Sequence, residues 1–176
     1  EGLGADVKAI VEQSNVACDL LFTGMEQPNG MAIGNAVEVQ EALAIIRNEE
    51  KCWDPRALTE QRGLVIMFFA KLMVVEFSQH SEEQWARFAQ QKFVTGLVAK
   101  AFGKILLAHR VPSDTVEEVM KNPASLTKNS APVRDVVASR KGVLREIDQK
   151  QLGYLVNFHL GAGGNQYCEE IDRTSG

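Results

Sequence analysis

The stretch Met25-Glu-Gln-Pro-Asn-Gly-Met-Ala-Ile-Gly-Asn-Ala-Val-Glu-Val-Gln-Glu-Ala42 constrains the fold more than any other part of the chain. Pro28, Gly30 and Gly34 fall within seven positions of one another. An ordered glycine costs conformational entropy, so this density implies a loop whose path matters rather than a plain connector. The run before it, Ala17-Cys-Asp-Leu-Leu-Phe-Thr23, is short and mostly apolar and stops at Gly24. It is too short for a stable helix and predicts a buried strand. Further upstream, Leu3, Val7, Ile10 and Val11 share one helical face. Helix, strand, glycine loop and helix is the order of an α/β layer, in which ligands gather at the carboxyl ends of strands.

The residues after the loop predict how the next helix starts. Asn35 suits an N-cap, and Glu38 three residues on completes a capping box, which gives Glu38 a structural role. Glu41 lies a turn further along and is not needed for the cap. Spacing leaves it either on a solvated helix face or in a ligand role.

Downstream the period is helical for some sixty residues. Asp54-Pro55 marks a helix start, and the helical pattern to Phe77 includes a potential break at Gly63. The apolar run Leu64-Val-Ile-Met-Phe-Phe-Ala, Lys71, Leu72-Met-Val-Val75 predicts a helix buried on most sides. Ser81 and Gln84 form a second capping box, and Trp85, Phe88, Phe93, Leu97, Ala101 and Ile105 carry a helical stripe to about Arg110. Gly96 and Gly103 are its potential breaks. Aromatics at this spacing are expected in a core rather than around a cofactor. Ser113 is placed to cap a short acidic helix, and Lys121 to Pro132, rich in Pro, Ser and Asn, reads as an interdomain linker.

Beyond the linker the period falls to two. Val133 to Ser139 and Val143 to Ile147 predict strands of a hairpin turning at Arg140-Lys-Gly142. Asp148 then caps a helix through Leu152, Val156 and His159, closed by Gly161-Ala-Gly-Gly164. The expected fold class is α/β with α+β. Residues 1–110 would be the closing part of an α/β domain, 111–132 the linker, and 133–176 the start of a small, incomplete α+β domain.

Charge and cysteine usage narrow the function classes. A net charge of −4 and a pI near 5.5, without a basic stripe, argue against nucleic acid as a partner. Cys18, Cys52 and Cys168 form no metal-ligand or CxxC pattern and read as reduced thiols of a cytoplasmic protein. His80, His109 and His159 lie far apart and read as structural or surface residues. The apolar run at 64–75 is too short, with a lysine inside it, to span a bilayer, so no membrane role is expected. With Glu1 first, no initiator Met and no signal peptide, the sequence reads as a fragment or processed piece.

The 25–42 stretch resembles the loop and helix near the end of the central domain of the thymidine and pyrimidine-nucleoside phosphorylases. Their usual form is D-M-x-Q-P-L-G-x-x-x-G-N-A-L/V-E-V-x-E-A. A weaker resemblance to the start of that family's C-terminal domain runs through Gly142-Val-Leu-Arg-Glu-Ile-Asp148, Leu152-Gly153, Leu160-Gly-Ala-Gly-Gly164 and Glu170-Ile-Asp172. Between the two blocks the likeness is one of helix pattern. The chain departs from the family at Gly24, where the family has Asp, and at Gly164, where it has Arg.

The resemblance implies a parent enzyme that binds inorganic phosphate and a pyrimidine nucleoside. It would cleave the N-glycosidic bond to free base and (deoxy)ribose 1-phosphate by positioning and electrostatic stabilisation. It also implies a monovalent cation, K⁺, held by the main-chain carbonyls of Asn29 and Ala32 and the carboxylate of Glu41. Hard cations take such oxygen ligands whatever the side chain. The family's phosphate- and base-binding segments have no counterpart here: no glycine-rich phosphate loop occurs in the 176 residues. The expectation is therefore no catalysis by this chain alone, and a protein partner or an N-terminal half that completes it. The alternative is a catalytically inactive, phosphorylase-derived structural or assembly subunit, for which Gly24, Gly164 and the bulky 64–75 helix speak.

Overall fold

Helix α2, Asn35–Ile46, is the element around which the chain is organised, and it is apolar on several sides. Ala36, Leu43, Ala44 and Ile45 are all buried on it, with Leu43 completely so. The computed structural model describes residues 2–24, 26–49, 55–128 and 135–163. The remaining helices are α1 (Gly2–Gln13), α3 (Pro55–Glu76), α4 (Glu82–Val94), α5 (Leu97–Ala108), α6 (Ser113–Lys121) and α7 (Gln149–Tyr154). A 3₁₀ turn, Pro123–Thr127, follows α6, and a π turn, Leu155–His159, continues α7.

The core lies between four helices. Ala44 and Ile45 of α2 meet Leu58 of α3 and Phe93 of α4, with Ile66 of α3 and Val98 of α5 packed against them. Helix α3 has 22 residues, a length of about 33 Å at the α-helical rise. It forms an antiparallel hairpin with α4, closed by aromatic contacts. Trp85 sets its edge against Phe69 and Phe88, with centroids 6.3 and 5.7 Å apart, and Phe69 stacks on Phe88. Lys71 pairs with Glu82 at 3.2 Å near the loop that joins the two helices.

Helix boundaries follow local chemistry. Ser81 and Gln84 form the expected capping box: Ser81 Oγ accepts from the Gln84 amide, and the Gln84 side chain accepts from the Ser81 amide. Helix α2 ends in a Schellman motif. Asn48 takes the left-handed conformation at φ 56°, its amide donates to the Ile45 carbonyl and the Glu49 amide to that of Ala44. Arg62 of α3, itself buried, hydrogen-bonds Asn48 Oδ1 and so ties that cap to the core. The same motif ends α5, with Arg110 at φ 63° and Val111 donating to Leu106. The long helical stripe breaks at Gly96, as anticipated, but not at Gly103. Nor does α3 break at Gly63: one glycine costs a helix only about 1 kcal/mol, and Leu58 before it and Ile66 after it are packed into the core.

Several expectations are corrected. No strand occurs among the described residues. Ala17 to Thr23 is irregular, because no other described segment offers it a ladder. The same holds for 135–147, the described part of the expected hairpin, whose Val136, Val137, Val143 and Leu144 are exposed; Val133 and Arg134 lie outside the described residues. Ser113 is the first residue of α6 rather than its cap, and Pro112 precedes it without a side-chain acceptor. The apolar α3 is not buried on most sides: Val65, Phe68, Leu72 and Val75 are exposed along one of its faces. Asp54 and Gly164 to Asp172 lie outside the described residues.

The described part of the expected linker is ordered against α2. Thr127 Oγ1 accepts from Gln40 Nε2 at 2.8 Å, and the Lys121 carbonyl accepts from Arg47. Among the described residues no helix is long and apolar enough to cross a membrane.

Two substitutions test this packing in opposite directions. Leu43→Ala removes a fully buried side chain and is expected to cost about 3 kcal/mol in urea unfolding. Gly63→Ala meets no atom within 4 Å and is expected to stabilise by about 0.5–1 kcal/mol.

Candidate functional site

The loop before α2 is closed from the helix side by two carboxylates. Glu41 is 4% exposed. Its Oε1 accepts the Met31 amide at 2.8 Å, and its Oε2 accepts the Ala32 amide at 3.3 Å and Gln61 Nε2 of α3, also at 3.3 Å. A carboxylate leaves water only when its oxygens are met by donors, and charge-assisted bonds of this kind are among the stronger ones. Glu41 is therefore neither on a solvated face nor free. It is the post to which the loop is tied.

Glu38, one turn earlier, accepts the Gly34 amide at 2.9 Å. The reach back to the cap is as the sequence implies, but the cap residue differs. Gly34 at φ 131° is the N-cap and has no side chain to offer, and Asn35 is the first helical residue. A side chain at Gly34 would be strained in that conformation. Glu38 sits near the helix's positive end, which favours its charge.

Released from capping, Asn35 does something else. Its Nδ2 donates to the Ala162 carbonyl at 3.0 Å, 127 residues away. The turn Gly161 to Gly163 is thereby fastened to the start of α2. Ala162 and Gly163 amides in turn bond the Val156 and Asn157 carbonyls, where the π turn ends.

Gly30 explains the density of glycines. A Cβ there would overlap the Gln61 amide and the Glu41 carboxylate. The loop backbone comes this close to Glu41 only because position 30 has no side chain.

These ties bring the loop, α2, α3 and α7 around one cavity of about 390 Å³. Pro28, Asn29, Gly30, Ala32, Glu38 and Glu41 all line it, with Gln61 from α3 and Gln149, Leu152 and Gly153 from α7. Asn29 also borders a second cavity of about 440 Å³, whose other wall is Leu144 to Ile147. Asn29, Ala32 and Glu41 thus converge on one space, while Gly34 and Asn35 stand behind it as loop and anchor. Gln61 and Gln149 were not foreseen. Each is a polar residue in a helical stretch, with no local signal that it faces inward.

The chemistry of the lining is one-sided. It offers carboxylate and amide oxygens, and among the described residues no Lys, Arg or His lines the first cavity. Such a wall suits a cation or a hydrogen-bond donor and offers a phosphate no positive partner. Among the described residues, no three His, Cys, Asp or Glu side chains converge as metal ligands. His80 and His159 instead stand edge-on to Trp85 and Tyr154.

No protein-family model matches the chain, and no solved structure matches it.

Glu41→Ala strips three donors of their acceptor and is expected to cost about 1.5–3 kcal/mol in equilibrium unfolding. Gly30→Ala is expected to destabilise as well, because the loop must move off Glu41. A Gly30→Ala protein as stable as the parent would contradict the close approach.

Proposed function

We propose that the chain is a segment, or a divergent relative, of a pyrimidine-nucleoside (thymidine) phosphorylase, and that it contributes a loop-and-helix wall rather than the reacting groups. The observation that carries this reading is the closure of the 26–34 loop onto α2 by Glu41. The positions that match the phosphorylase motif are those on which the closure depends: Gly30 admits the carboxylate, Gly34 turns into the helix, and Glu38 and Glu41 hold the amides. In this reading residues 17–23, irregular here, would take strand form only beside sequence that completes an α/β layer, and 133–176 would open an α+β domain.

The activity of the whole enzyme would be phosphate-dependent cleavage of the N-glycosidic bond of a pyrimidine nucleoside. The phosphate and base sites belong to a partner or to further sequence, since the lining of the described cavity holds no cationic side chain. For this chain alone we expect no release of thymine or uracil from thymidine or uridine in the presence of phosphate. Release by the purified polypeptide would contradict the division of labour. The lineage has its own test: sequence upstream of Glu1 in the gene should encode a glycine-rich phosphate segment, and a reading frame without one would contradict it.

In this reading a monovalent cation would be held by the Asn29 and Ala32 carbonyls and the Glu41 carboxylate. Asn29, Ala32 and Glu41 line one cavity, and the carboxylate has lone-pair capacity beyond its three donors. A bound K⁺ would neutralise part of the Glu41 charge and stiffen the loop. The melting temperature should then be higher in KCl than in choline chloride at equal ionic strength, with the difference lost in Glu41→Gln. Equal melting in the two salts would contradict K⁺ binding.

A second reading, an inactive structural or assembly subunit of the same descent, is favoured by a different observation. Leu3, Val7 and Ile10 of α1 and Val65, Phe68, Leu72 and Val75 of α3 are exposed apolar side chains. Copurification within a large assembly would favour it over the enzyme segment.

A further inference from the structure

The Asn29-Gly30 pair carries a chemistry that its place on the cavity wall does not use. The carboxamide carbon of an asparagine can close a five-membered ring with the main-chain nitrogen of the next residue. The bulk of the next side chain ordinarily hinders that approach, and glycine has none. Asn29 is the one asparagine in the sequence that is followed by glycine. Asn122 precedes Pro123, whose nitrogen carries no proton, and Asn15 precedes the β-branched Val16.

The fold leaves this pair accessible. Asn29 is exposed, lies in irregular chain and borders two cavities, of about 390 and 440 Å³. The ties to Glu41 begin at the Met31 amide, beyond the Asn29-Gly30 bond. Two other asparagines are held in place instead. Asn35 opens α2 and donates to the Ala162 carbonyl, and the Asn48 side chain accepts from Arg62.

We propose that Asn29 is a site of spontaneous deamidation and that its products release the loop from Glu41. The Gly30 nitrogen attacks Asn29 Cγ, so that a new N–Cγ bond closes a succinimide and the Cγ–Nδ2 bond breaks. Nδ2 leaves as ammonia, taking the Gly30 amide proton as its third hydrogen. Water then opens the ring, with no change of oxidation state. Cleavage at Cγ gives aspartate at position 29. Cleavage at the main-chain carbonyl gives isoaspartate, whose main chain runs through Cβ and Cγ and is one methylene longer. That methylene enters directly before Gly30, where even a Cβ would overlap Gln61 and Glu41. Aspartate instead adds a third carboxylate to a wall that already holds Glu38 and Glu41, and like charges at short range repel.

The test holds the full 176-residue chain, folded, at mildly alkaline pH in potassium-free buffer. Peptide mapping by mass spectrometry should show a one-unit mass gain at Asn29 at least tenfold faster than at Asn35 or Asn48. In step with that gain, the Met31 and Ala32 amides should lose exchange protection and the melting temperature should fall. Asn29→Gln moves the carboxamide one carbon further from the Gly30 nitrogen, so neither its mass nor its melting should drift. A mass gain that appears only after urea has unfolded the chain would overturn the proposal, as would an Asn29 no faster than Asn35 and Asn48. Converted protein whose Met31 and Ala32 amides stay protected, or an Asn29→Gln chain whose melting drifts like the parent's, would do the same. These readouts involve neither phosphorolysis nor a bound cation, so their failure is separate from failure of the phosphorylase reading.

Discussion

A carboxylate buried at the middle of a helix sets the geometry of this protein's loop side. Glu41 faces away from solvent on α2, and among the described residues two loop amides and one glutamine of α3 donate to it. That arrangement dictates the rest in sequence. The loop must come close, so position 30 can carry no side chain. The chain must then turn into the helix within four residues, which Gly34 permits at φ 131°. With the N-cap occupied by glycine, Asn35 is left over and ties down the C-terminal turn at Ala162. The wall of the cavity follows from these ties rather than from hydrophobic packing.

Packing supplies the platform on which the ties are made. Ala44 and Ile45, on the same helix as Glu41, are buried against α3, α4 and α5, and Leu43 beside them is wholly buried, so the carboxylate is fixed by a core it does not belong to. Polar groups at the back of a helix and apolar ones at its front leave it little freedom to rotate. A ligand in the cavity would meet oxygens already held in place, which lowers the ordering cost of binding.

Much of this was legible in the sequence, and what was not has physical reasons. The glycine and proline spacing from Pro28 to Gly34 announced a defined loop, the Ser81–Gln84 box and the Gly96 break fell as read, and Glu38 reached back as its spacing implied. Sequence points to Asn35 as the cap because it is the better capping side chain, while the backbone puts the cap one residue earlier, at Gly34. Glu41 remained open because spacing relative to a helix start does not say which face is buried; only the approach of Gly30 does. The strands at 17–23 and 143–147 were read from period and composition. Strand formation needs a partner as well, and no described segment supplies one. Gln61 left no trace in the local pattern because its role is set by tertiary contact.

The central claim is that Glu41 holds the loop through the Met31 and Ala32 amides. Residue-resolved amide exchange in the chain and in Glu41→Gln measures it directly. The account predicts that both amides are protected in the parent, Met31 more strongly than Ala32 in line with its shorter bond, and that both lose protection in the variant while the amides of α3 and α4 keep theirs. Met31 and Ala32 amides that exchange in the parent as fast as freely exposed ones would contradict it.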